Sequence, residues 1–182
     1  MSTSEGQNNT MSETNDIDLT ILGMKEVEEE MNKGVKWDVI VSILCPPADT
    51  METQKNATFR ARLQKSCTSK NILCMDFDDV DSVCGTDTTP PTESHVLLIK
   101  TLAMGSYVEH WSKHDGTKLR VLMHCAAGIS RSTAAALIYL HEVGYTKKDA
   151  IEIMRKVRVR PTPDPNVLML QLADNAWMQQ QI

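Results

Sequence analysis

A chain of 182 residues, 41% of them hydrophobic, is long enough for one buried core and a short tail. A net charge of −5 and a pI near 5.5 exclude the broad basic face that nucleic-acid binding needs. Five dispersed cysteines (Cys45, Cys67, Cys74, Cys84, Cys125), with no CxxC pair, read as free thiols in a reducing compartment. No apolar run is long enough to span a membrane and the start lacks a signal-peptide pattern, so the expected location is cytoplasmic.

Residues 1–16 are Ser, Thr, Asn, Glu and Gly with little apolar content, and are expected to be a disordered tail ahead of a single domain over 17–182. Met24, Val27 and Met31 stand at helical spacing, which predicts a short amphipathic helix over 24–32 that stops near Gly34. Val39 to Leu44 is a continuous β-branched run, the pattern of a strand buried on both faces, and Pro46-Pro47 ends it. A helix is expected around 57–65 and a second buried strand over 72–75. An acidic, turn-rich loop follows from Asp76 to Pro91. Thr92 is placed to cap a helix over 93–113 whose apolar stripe is Val96, Leu97, Ile99, Leu102, Ala103 and Val108. A third strand is expected over 119–123, then helices over 130–143, 147–157 and from Pro165 to about Trp177. Continuous apolar strands alternating with helices predict an α/β fold with a mainly parallel central sheet flanked by helices. Functional loops then sit at the carboxyl ends of the strands, where Cys125 and the loop after Met75 both fall.

The most telling segment is His124-Cys125-Ala126-Ala127-Gly128-Ile129-Ser130-Arg131-Ser132, between the third strand and an alanine-rich helix. A tight loop entering a helix N-terminus is an anion site: backbone N–H groups converge and the helix dipole adds positive potential. Small residues let the backbone of Ala126, Ala127, Gly128, Ile129, Ser130 and Arg131 close around a phosphate-sized ion. Arg131 offers a planar fork for two phosphate oxygens, and Cys125 lies at the loop floor. No Asp/His cluster has the spacing of metal ligands, so no metal or other cofactor is expected.

This segment resembles the His-Cys-x5-Arg-Ser signature of the cysteine-dependent protein phosphatases, and most of all its dual-specificity branch. The resemblance implies a protein-tyrosine-phosphatase-like fold and hydrolysis of phosphate monoesters in phosphoproteins. Cys125 would be the nucleophile of a phosphocysteine intermediate, and Arg131 with the loop N–H groups would hold the equatorial oxygens. Ser132 would stabilise the departing sulfur, and His124 would order the loop by hydrogen bonding. The general acid should be a carboxylic acid after the second strand: Asp76, Asp78, Asp79, Asp81 or Asp87. Phe77-Asp78-Asp79-Val80, Pro91-Thr92-Glu93-Ser94-His95-Val96 and Pro161-Thr162-Pro163-Asp164-Pro165-Asn166 are similar to a compact set of bacterial predicted tyrosine phosphatases. On that pattern Asp79 is the acid; Asp87, nearer the usual spacing to the cysteine, is the second choice. The same pattern implies that the turn bearing Arg160 and Asn166 braces the signature loop.

Cys45 ends the first buried strand, at the sheet end that carries Cys125, and some lipid-phosphatase relatives keep a redox partner there. An inositide or other non-protein phosphate is an alternative substrate, and a non-catalytic phosphate-binding module is an alternative function. Absence of lysine at Ala126, Ala127 and Ile129 speaks against the first, and intact Cys125, Arg131 and Ser132 against the second. The sequence sets no oligomeric state.

Overall fold

The computed structural model describes residues 16–82, 87–113 and 116–173. The expected tail over 1–16, apart from Asp16, whose carbonyl accepts from Leu119 N, and the helix extension to Trp177 lie outside these residues. Four strands, β1 (Ile17–Gly23), β2 (Trp37–Leu44), β3 (Cys67–Asp76) and β4 (Leu119–Cys125), form one parallel sheet in the order β1-β4-β2-β3. Six helices cover it: α1 (Met24–Asn32), α2 (Thr50–Ser66), α3 (Glu93–Lys113), α4 (Arg131–Glu142), α5 (Lys147–Val157) and α6 (Val167–Ala173). The α/β class and parallel sheet expected from the sequence are therefore present.

Strand parity decides which helices go where. On one face Val39, Val41, Ile43, Val121 and Met123 pack with α3–α6; on the other Ile40, Leu44 and Leu122 pack with Val27 of α1 and Phe59 and Leu63 of α2. Helix α4 is buried from Arg131 through Leu140, which explains its alanines: Ala134, Ala135 and Ala136 let it sit close to the sheet and to its helical neighbours. Its Tyr139 is enclosed, with the hydroxyl 2.7 Å from Ser106 Oγ, and burial pushes the phenol pKa up to about 12.

Four sequence expectations are corrected. β1 had no assigned strand, yet it pairs along its whole length with β4, from Ile17↔Leu119 to Gly23↔Cys125. Helix α2 begins at Thr50, not near Ala57, because Asp49 caps it by accepting from Glu52 N. At the start of α3 no backbone N–H is capped by the Thr92 hydroxyl; the His95 ring reaches back, and its Nδ1 accepts from Thr92 N at 3.0 Å. The stripe assigned to α3 also divides. Val96, Ile99 and Ala103 are buried and Leu102 is half-buried, whereas Leu97 and Val108 face solvent.

Candidate active site

All four strands point their carboxyl ends the same way, so Gly23, Leu44, Asp76 and Cys125 end at one rim of the sheet. Cys125 is buried, and the residues after it curl back over its sulfur. Gly128 N donates to Cys125 Sγ at 3.2 Å, and Ser132 Oγ lies 3.2 Å from the same atom. Gly128 has φ of 72°, and a Cβ there would stand 2.6 Å from Gly23 N and Leu22 C. Only glycine fits both the left-handed backbone and the contact with β1.

The loop's carbonyls are pinned from outside. Ala126 O accepts from Met24 N at 3.0 Å and Ala127 O from Arg158 Nη2 at 2.9 Å. Ile129 O accepts from Asp164 N at 3.1 Å, and Ser130 O from Ala134 N and Asn166 N. In a trans peptide unit the C=O and N–H point oppositely. Holding these carbonyls outward therefore turns the following N–H groups, of Ala127, Gly128, Ser130 and Arg131, toward the sulfur side. The sequence predicted the converging amides; the donors that hold these carbonyls come from α1, α4, α5's C-cap and the turn before α6.

Arg131 opens α4 and is buried. Its Nη1 donates to Phe77 O at 2.6 Å and lies 3.4 Å from Cys45 Sγ, while Nε has no hydrogen-bond partner and stands 3.7 Å from Asp79 Oδ2. The structure sorts the five candidate acids. Asp76 is tied to Arg60 at 2.5 Å, and Asp78 closes its own loop by accepting from Thr89 N at 2.8 Å. Asp81 and Asp87 are exposed on the loop. Asp79 meets the signature loop: Oδ1 accepts from Ser130 Oγ at 2.6 Å and from Asn166 Nδ2 at 3.0 Å, leaving Oδ2 toward Arg131.

Asn166 is buried and also donates to Val80 O, while its Oδ1 accepts from Met169 N at the start of α6. It links the acid's loop, the signature loop and the last helix. Arg160 is exposed and does not brace the loop. That position belongs to Arg158, which the sequence reading missed. Its Nη1 donates to both Glu26 oxygens at 2.7 and 2.9 Å and its Nη2 to Ala127 O. Glu26 in turn accepts from Gly23 N at 2.6 Å.

His124 departs from its expected part. Neither ring nitrogen has a hydrogen-bond partner, and the ring packs edge-on against Phe59 at 5.3 Å. Burial lowers its pKa from 6.5 to about 4, with the Cys125 backbone opposing and the Arg60 charge adding. Cys45 and Cys125 are both free thiols. Ala126 and Ala127 are exposed on the loop. A groove of about 450 Å³ lies between α1 and α2, lined by Met24, Met51, Phe59 and Arg62 among others.

This architecture is that of the protein tyrosine and dual-specificity phosphatases: the chain has their fold, with a parallel sheet whose rim carries a cysteine loop running into a buried helix. No protein-family model matches the sequence, and no curated protein does. Solved structures do. PTPMT1 in complex with PI(5)P superposes with a TM-score of 0.50 at 15% identity, covering 90% of this chain and 89% of that one. The PTP-2 phosphatase of Cydia pomonella gives a TM-score of 0.52 at 16% identity, covering 87% and 84%. Among the described residues no helix is long and apolar enough to cross a membrane.

Proposed function

We propose that this protein hydrolyses phosphate monoesters, with phosphoproteins as substrates and a phosphocysteine intermediate. The observation that carries the reading is the meeting of Arg131 and Asp79, 3.7 Å apart, above a cysteine cupped by Gly128 N and Ser132 Oγ. In the first step Cys125, as thiolate, attacks phosphorus in line. The bond to the ester oxygen breaks, and that oxygen takes a proton from Asp79 Oδ2. The inward N–H groups and Arg131 hold the equatorial oxygens, most tightly as charge builds on them. In the second step Asp79 accepts a proton from the attacking water, the P–S bond breaks, and Ser132 Oγ donates to the departing sulfur. His124, uncharged and packed on Phe59, supports the loop from below by filling space.

PTPMT1 in complex with PI(5)P favours a second reading, in which an inositide is the substrate. Extra phosphates ask for extra cations at the mouth of the loop. Ala126, Ala127 and Ile129 supply none, so a singly phosphorylated side chain fits better. The test is hydrolysis of 4-nitrophenyl phosphate with a metal chelator present, wild type against Cys125→Ser. The wild type is expected to turn over, and the variant to fall to background with an unchanged melting temperature. Residual turnover in the variant overturns the phosphocysteine route. Phosphotyrosine peptides are expected to be better substrates than inositides.

A further inference from the structure

We propose that the groove between α1 and α2 docks the chain of a phosphoprotein substrate beside its phosphorylated residue, seating an apolar side chain against Met24 and Met51 and an acidic one against Lys55. The inference rests on the phosphatase reading above and adds the flanking chemistry of the substrate to it. The groove is about 450 Å³ in volume, inside the usual range of ligand clefts, about 300–1,000 Å³. Its place follows from how α2 crosses the sheet. The helix runs from the rim back to the start of β3. Phe59 packs on His124, one residue before Cys125, and Arg60 pairs with Asp76 at the end of β3. Residues 59–60 are therefore level with the rim, and the two turns before them stand beyond it. Met51 lies eight residues before Phe59, about 12 Å farther out along the helix. On the α1 side the groove begins at Met24, whose N–H donates to Ala126 O at 3.0 Å. The groove thus starts at the signature loop, beside the exposed Ala126 and Ala127, and follows α2 outward.

Charge and reach choose the occupant. At the inner end Arg62 and Glu28 neutralise each other at 3.2 Å, and Arg62 also donates to Asn32 Oδ1 at 2.9 Å. Thr58 has its hydroxyl on Gln54 O at 2.9 Å. Lys55 lines the same wall, is exposed, and has no hydrogen bond or ion pair among the described residues. The wall therefore offers one uncommitted cation beside an apolar lining of Met24, Met51 and Phe59, of which Met51 is 66% exposed. Unbranched methionines adapt to apolar side chains of different shape, whereas the cation asks for an acid. A phosphate that enters the signature loop on a protein side chain brings its own backbone to this wall. Extended chain advances about 3.3 Å per residue, so about four residues span the distance from the rim to Met51. An inositide brings further phosphates instead, and these ask for several cations together. Among the described residues that line the groove, Lys55 is the single free one.

The test is fluorescence anisotropy of labelled phosphotyrosine peptides on the full chain carrying Cys125→Ser, so that binding is read without turnover. Three peptides are compared, with leucine and glutamate, leucine and lysine, or serine and glutamate at alternate positions on both sides of the phosphotyrosine. The leucine–glutamate peptide is expected to bind about tenfold more tightly than the serine–glutamate one, the scale of burying one leucine side chain. It is expected to bind about three- to fivefold more tightly than the leucine–lysine one, the reach of an exposed ion pair. Adding Lys55→Glu is expected to invert the charge preference and keep the leucine preference, and adding Met51→Glu to erase the leucine preference. A Lys55 that served only the fold would not invert the choice between two peptides. Equal affinity for the three peptides overturns the proposal, as does a charge preference that Lys55→Glu leaves in place. Tighter, Lys55-dependent binding of an inositide in phosphatidylcholine vesicles also overturns it, the occupant then being a headgroup. Hydrolysis of 4-nitrophenyl phosphate by the wild type reports separately on the phosphatase reading. Turnover with equal peptide affinities keeps that reading and removes the groove; peptide preference without turnover keeps the groove and removes the reading.

Discussion

Two arginines flank the signature loop, both almost fully buried, and they differ in what they face. Arg158 seals the outside. Its Nη groups are taken by Glu26, Ile21 O and Ala127 O, so the charge joins the end of α5 to β1, α1 and the loop in one knot. Arg131 lines the inside. Only its Nη1 is committed to the backbone, at Phe77 O, and its Nε looks across 3.7 Å to a half-exposed carboxylate. Burial alone does not separate the two cations, at 3% exposure for Arg131 and 4% for Arg158. Exposure of the opposing acid does not separate them either, at 42% for Glu26 and 39% for Asp79; the difference lies in the guanidinium, whose two Nη groups are both bonded in Arg158 while Arg131 commits Nη1.

The comparison can be broken from either side. Arg131→Lys keeps the charge but loses the fork, and kcat/KM for an aryl phosphate is expected to fall by about 10²–10³-fold with little change in melting temperature. Near-normal kcat/KM in that variant would remove Arg131 from the chemistry. Asp79→Asn is expected to lower kcat by about 10²-fold or more. Its loss should shrink for leaving groups that need no proton, and the effect moving to Asp87→Asn would reassign the acid. Arg158→Ala should show the reverse profile. Opening the ion pair with Glu26 is expected to cost about 2 kcal/mol, less than for a fully enclosed pair because Glu26 is partly exposed, or roughly 4–8 °C in melting temperature. Retained stability together with lost turnover would give Arg158 a direct part instead.

His124 sharpens the contrast with a buried group that stays neutral. Its pKa is about 4 in the folded chain against 6.5 for an ordinary histidine. Between those values the unfolded chain binds a proton that the folded chain does not, so stability is full above pH 6.5 and declines as the pH falls toward 4. The difference at pH 5 is about 2 kcal/mol. Urea melts at pH 7 and pH 5 should show this loss in wild type and a smaller one in His124→Gln; equal losses would mean that His124 is not the group responsible.

What the sequence makes legible follows from where each signal resides. The cysteine loop, the apolar strands 39–44 and 119–123 and helices α1, α3 and α5 carry local patterns, and they stand where the patterns put them. β1 carries a period-two pattern too, with Ile17, Leu19 and Ile21 inward, but it is short, at an edge, and follows a polar tail. Arg158 has no local signal at all. Its meaning lies in Glu26, 132 positions away, and in a carbonyl 31 positions away. Among five similar acids only the family resemblance favoured Asp79, and the contacts from Ser130 and Asn166 that single it out lie 51 and 87 positions away. The split of the α3 stripe was hidden because an apolar residue facing solvent and one facing the core look alike in a list of residues. His124 shows the same limit in reverse, since a polar residue beside Cys125 turned out to be packed against Phe59.

The sheet order also sets a schedule. β4 is made last of the four strands yet lies between β1 and β2, which meet each other only through it. At ribosomal speeds of 5–20 residues per second, roughly 4–16 seconds pass between the emergence of β2 and that of Cys125. Through that interval the nascent chain presents β1 alone and β2 with one bare hydrogen-bonding edge, the form most prone to pair with the wrong chain. The strand that brings Cys125 is also the one that closes this gap, so a nascent chain that has acquired this thiol has, by the same event, acquired the means to bury it.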